Sequence, residues 1–161
     1  MLADDACFSR TENGKKVFIL SAKKVEQYKQ NRFSYAKEPD FKTFSEDGTL
    51  SCEGKCDFLS ADSEKEEYIL LDNILISDKS NNVDIFAGSL KWNGKTEQLT
   101  SQNGEEVVLK KDNFTFKGID FSASAVSSSF EFKNQVSGVI NTAGDEDTAS
   151  LQAFDNGEDQ K

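Results

Sequence analysis

The residues able to do chemistry are few and poorly spaced for it. Cys52, Glu53, Gly54, Lys55 and Cys56 form the tightest group, two thiols with a carboxylate and an amine between them. With Gly54 at the tip of a hairpin, the thiols would face each other and could bridge. With Gly54 as a bulge in one strand, they would sit on one face about 13 Å apart, too far to bond. A reactive thiol is a third reading. We take them first as small buried apolar residues, with the bridge second. The spacing is not the CxxC of a redox or zinc site, and with Cys7 the three cysteines make no disulfide framework.

Other reactive combinations are missing or incomplete. The chain has no His, which removes Ser-His-Asp and Cys-His nucleophiles and any His-ligated metal. Residues 78–84, DKSNNVD, start like a calcium loop. Val83 stands where the loop needs its Gly, and Ser89 where it needs its Glu, so a solvated hairpin loop is expected. The mixed-charge run 62–67 reads as a turn. Asn113-Phe114-Thr115 matches a glycosylation acceptor, but Phe114 belongs to an alternating run. No pair of carboxylates is spaced for acid–base work. The expectation is a non-enzymatic protein without cofactor or metal.

What the chain has in quantity is Phe, 13 residues against three Tyr and one Trp. Phe114 and Phe116, Phe121 with Ala123 and Ala125, and Phe130 and Phe132 each recur at every second position. That is the period of one strand face. Phe carries apolar area with no polar handle, so it suits a dry interior or an apolar guest. On pattern alone a closed sandwich core and an open acyl-chain groove look the same, and the closed core is the simpler reading. Trp92, before an Asn-Gly turn, reads as a core or rim residue.

Strands must position these rings. Short alternating runs repeat along the chain: KKVFILSA, TLSCEG, EYILL, NILIS, VDIFA, SLKWN, EVVLKK, FTFKG, DFSAS, FEFKN and QVSGVI. Residues 22–30 could be a short helix, but strand-like flanks favour strand. Asn-Gly at 13–14, 93–94, 103–104 and 156–157, and Asp-Gly at 47–48, supply hairpin turns. A single Pro in 161 residues fits many paired strands. The small residues Ala22, Ala61, Ala87 and Ala123 each follow bulky apolar ones, as if the layers shared a bend there. The fold class is all-β, one antiparallel meander.

Composition bounds the partners. The net charge of −10 argues against nucleic acid, which needs a basic stripe, and against adsorption to an anionic lipid surface. Much of the excess lies in 141–161, which holds six carboxylates against Lys161 and reads as a disordered acidic tail. Residues 1–5 read as a linker and 6–140 as a single domain.

The order of the pieces is similar to a known family. VFILSAKKVEQY (17–28) resembles its opening strand, TLSCEGKCDF (49–58) an inner strand, and SLKWNGKTEQLTS (89–101) its strand–turn–strand with an aromatic before the turn. KGIDFSASAVSSSFEFKNQVSGVI (117–140) resembles its closing segment. The family is the LptC/LptA (OstA-like) group of periplasmic bridge proteins for lipopolysaccharide export, with LptC the nearer. The resemblance implies a twisted V-shaped stack of antiparallel strands, a half jelly roll, whose interior holds acyl chains of lipopolysaccharide or a similar glycolipid. It implies a periplasmic location, with an inner-membrane anchor on an N-terminal segment absent from this sequence. Implied partners are inner-membrane ABC exporter subunits and an LptA-like bridge protein. The alternative is a closed-core structural or surface β-protein without a lipid.

On that basis the expected groove residues are Phe18, Leu20, Ile74, Ile76, Val107, Leu109, Phe114, Phe116, Phe121, Phe130 and Phe132. A one-residue slip would turn any of these sets outward. The expected docking edges are Val17, Ile19 and Ser21 at the start, and Val136, Gly138 and Ile140 at the end, with Ser122 and Ser137 small enough to keep edges clear.

Overall fold

A computed structural model describes residues 1–28, 32–102 and 104–141, and the backbone of 150–151. The rest of the acidic tail expected to be disordered lies outside the described residues. The strands are β1 (Leu2–Glu12), β2 (Lys15–Gln27), β3 (Phe33–Phe44), β4 (Leu50–Lys55), β5 (Phe58–Asp62) and β6 (Glu67–Asp78). They continue with β7 (Val83–Asn93), β8 (Gln98–Ser101), β9 (Val107–Lys111), β10 (Phe114–Ser124), β11 (Ser129–Ile140) and β12 (Ser150–Leu151). All belong to one sheet, in the order β1-β2-β3-β4-β6-β7-β8-β10-β11-β12. Every pairing is antiparallel.

The long strands are creased in the middle. β3 pairs with β4 through its second half and with β5 through its first. β6 does the same, and β7 and β10 divide in the same way between β8 and β9. A line therefore crosses the sheet and divides it into two walls. The first wall holds 6–21, 40–55, 74–86, 107–118 and 137–140. The second holds 2–4, 24–27, 33–37, 58–71, 90–101 and 121–132.

Non-glycine residues with positive φ mark the line inside the strands: Asp5 (47°), Glu38 (48°), Asp72 (61°), Asn73 (50°), Asp120 (55°) and Gln135 (50°). Asp and Asn tolerate this left-handed region best among non-glycine residues; the ladders slip beside Asp72, Asn73, Asp120 and Gln135 but keep their register past Asp5 and Glu38. The β6–β7 ladder slips between Leu71 and Ile74, where Asp72 and Asn73 stand. Backbone bonds stitch the line: Glu38 donates to Asp57 (2.7 Å) and Asp57 to Asp72 (2.9 Å).

Folding along the line brings the inner faces together. One core cluster takes Ile74, Ile76, Ile85, Val107 and Leu109 from the first wall and Leu70, Leu90, Leu99 and Phe121 from the second. A small separate cluster, Ala22, Val25 and Ala36, lies near the N-terminal end.

Two expectations need correction. Residues 2–5 are not a linker; they belong to β1, with Leu2, Ala3 and Asp4 paired to Glu26, Val25 and Lys24. Of the four small residues expected at a shared bend, Ala22 and Ala87 do flank the crease, pairing with Pro39 and Ile74. Ala61 and Ala123 lie well inside the second wall, because it is backbone geometry, not a small side chain, that makes the turn.

Candidate functional site

The inner face of the first wall is built from rungs that run straight across the strands. Phe8 pairs with Leu20, Leu20 with Phe41, Phe41 with Gly54, Gly54 with Ile76 and Ile76 with Ile85. Ile85 then pairs with Leu109, Leu109 with Phe116 and Phe116 with Gly138. The row is apolar from end to end. The gap in bulk at Gly54, inside the row, is filled by the Phe41 ring, which comes within 2.4 Å of where a Cβ would stand. The facing wall carries the row Ala3, Val25, Ala36, Leu59, Leu70 and Leu90. A second row there runs Ala61, Tyr68, Trp92, Leu99, Ala123 and Phe130.

Burial along this trough is graded. Its central floor is closed: Leu90 and Val107 are 0% exposed, Leu109 and Phe121 1%, and Ile74 2%. The rim and both ends are open. Phe8 keeps 40% of its surface, Tyr68 37%, Phe114 43% and Phe130 37%. Phe18, Phe41, Val83, Trp92 and Phe116 are half-buried.

At the C-terminal end the rings form a continuous group. Phe114 stacks on Phe116 at 6.1 Å, and Phe116 meets Phe130 across the trough at 5.8 Å. Phe130 meets Phe132 edge-on at 6.2 Å, and Phe132 rests on the buried Phe121 at 5.1 Å. Gly118 makes room beneath the Phe132 ring, 2.8 Å from its would-be Cβ.

The eleven expected groove residues thus share one inner face but not one environment. Phe18 and Leu20 lie on the first wall near its N-terminal end. Ile74, Ile76, Val107, Leu109 and Phe121 form the closed floor. Phe114, Phe116, Phe130 and Phe132 gather at the C-terminal mouth. Sequence reasoning passed over Phe8, Phe41 and Tyr68 as rim residues, while Trp92 was expected as a core or rim residue. Phe41 could have been found from Gly54, since an aromatic opposite a strand glycine commonly covers it.

The expected N-terminal edge is corrected. Val17, Ile19 and Ser21 lie on β2, which has β1 on one side and β3 on the other. The outermost strand is β1. Its sequence alternates weakly, with Asp4, Asp5, Arg10 and Glu12 among small residues, and gave little strand signal. Val136, Gly138 and Ile140 are on β11, the last long strand, where Gly138 pairs outward with Leu151 of β12.

All three cysteines are free thiols, and Cys7 is exposed. Cys52 is half-buried on the inner face, and Cys56 is buried, with its thiol 3.1 Å from the Phe58 carbonyl. Burial pushes both up to about 11; Asp78 and Glu53 add to it for Cys52. Neutral thiols are poor nucleophiles. In the calcium-like segment, the Asp78 carboxylate accepts from the Ser80 and Asn81 backbone (2.9 and 3.1 Å), and Asp84 accepts from Ser77. The segment is a hairpin turn.

No helix among the described residues is long and apolar enough to cross a membrane. In comparison with known families, the model described as lipopolysaccharide-assembly, LptC-related matches residues 7–141. No curated protein matches the chain.

Proposed function

The chain belongs to the LptC-related lipopolysaccharide-assembly family, and from that premise we propose that its trough is a binding face for the acyl chains of a glycolipid. The carrying observation is the unbroken apolar row from Phe8 to Phe116, with exposed rings along the rim. The chains lie along the rim, between Phe18, Val83 and Phe114 on one wall and Tyr68, Trp92 and Phe130 on the other. The packed floor keeps the walls at a fixed separation. A buried methylene contributes about 0.8 kcal/mol, so even five of them would hold a chain by ~4 kcal/mol without a hydrogen bond. The sugars stay in water.

The proposal extends to place and partners. The domain works in the periplasm beside an inner-membrane exporter. It passes its cargo to a bridge protein that adds a strand to the end of the sheet. The role is transport, not catalysis.

A photo-crosslinking residue at Phe114, Phe116 or Phe130 should trap glycolipid, whereas one at Thr115 or Lys133 should not. Equal labelling at both sets would overturn the assignment. The closed floor favours a second reading, a structural β-protein with no lipid. Failure of a fluorescent fatty acid to bind the purified domain would support it.

A further inference from the structure

β11 is the last long strand of the sheet, yet its outer edge is not bare. Ser150 pairs with Val139 and Leu151 with Gly138, in antiparallel register. In the sequence these two residues lie within an apolar island of an acidic tail, ASLQAF (149–154), between Gly-Asp-Glu-Asp and Asp-Asn-Gly-Glu-Asp. An exposed strand edge is a template for another chain, and proteins commonly cover or blunt it. At the other end of the sheet, β1 has no such cover among the described residues.

We propose that Ser150–Leu151 is an intramolecular edge cap, which holds β11 against strand addition until a partner's edge strand displaces it. This deepens the docking reading of β11 given above and rests on it.

Three features suit a displaceable cap. Among the described residues it pairs at two positions, against twelve residues in β11, so an incoming strand can pair first within 129–137 and then replace it. Gly138, at the centre of the contact, has only ordinary contacts around its would-be Cβ, the nearest being Phe116 at 3.6 Å. Backbones can approach closely there. The tail is covalently attached, so its local concentration is high, while the described pairing spans two positions, and a longer strand in trans wins by contact length.

The test uses the full chain with Ser150→Pro and Leu151→Pro together, which removes both N–H donors from the tail strand. Gln160→Pro serves as control. β1–β11 hold the fold without these positions, so the variant remains folded. Hydrogen exchange is read at Gly138 and Val139. Binding is read with a synthetic peptide of residues 1–12, the chain's own uncapped edge strand. Faster exchange at Gly138 or Val139, with peptide affinity up roughly threefold to tenfold, is expected, since apparent affinity scales with the fraction uncapped. Unchanged exchange would overturn the cap. Faster exchange with no peptide binding by either chain would uphold the cap and overturn the docking reading of β11.

Discussion

Gly54 and Phe41 give the sharpest test of the packing. A methyl at Gly54 would stand 2.4 and 2.6 Å from two Phe41 ring carbons, and 3.1 Å from the Leu75 carbonyl oxygen. The ring must leave its place on the row, or the strands must part. Overpacking of this kind costs about 1–3 kcal/mol, a drop in Tm of roughly 3–10 °C for a domain of this size. Phe41→Ala alone removes a half-buried ring and should cost about 2 kcal/mol. The informative species is the double variant. With the ring gone, most of the clash is gone, and only the carbonyl contact remains. Ala is favoured over Gly within a strand by roughly 0.5–1 kcal/mol. Gly54→Ala should therefore be close to neutral, or stabilising, in the Phe41→Ala background. Urea unfolding of the four proteins gives the coupling directly. Equal destabilisation by Gly54→Ala in both backgrounds would show that the ring does not lie over the glycine.

Other outcomes follow from burial and backbone geometry. Phe121→Ala should lose about 3–5 kcal/mol in urea unfolding, whereas Phe114→Ala should lose under about 1 kcal/mol yet weaken fatty-acid binding. At Asp72, where φ is 61°, Gly should be neutral or stabilising, and Val should cost about 1–3 kcal/mol by thermal denaturation. Gly138→Arg should keep the melting temperature while reducing pull-down of a bridge partner. Cys7 should react at once with a thiol reagent at pH 8, and Cys52 and Cys56 only after unfolding. The Cys52 and Cys56 thiols are both raised from 9.0 to about 11. The unfolded chain therefore releases their protons first, and stability should be full below pH 9 and fall between pH 9 and 11.

The face assignment was legible in the sequence because alternation survives within each wall. Phe114, Phe116, Ile74, Ile76, Val107 and Leu109 all point inward as the period of two requires. The length of the strands was not legible. EYILL and NILIS looked like two strands, because Asp72 and Asn73 interrupt the alternation and resemble a turn. They are the crease in a single β6. VDIFA and SLKWN, separated by Gly88, merge into β7, and FTFKG and DFSAS merge into β10, whose crease is at Asp120. β1 was missed as a strand because charged and small residues fill it, and of β3 only 33–36 read as strand, since Lys37, Glu38, Pro39 and Asp40 interrupt it; both owe much of their conformation to neighbours. The contrast between closed floor and open rim also escaped the sequence, since a packed Leu and a rim Phe occupy equivalent positions in the pattern.

The ladder also sets a scale. Counting β4 with β5 and β8 with β9 as single ribbons, nine ribbons lie side by side from β1 to β11. At about 4.8 Å per ribbon, the channel between the walls is roughly 40 Å long. Apolar rungs follow one another at that pitch, so under the proposed function an acyl chain moved along the trough would find no single anchoring point. In that reading direction has to be imposed from outside, by whatever loads one end and empties the other.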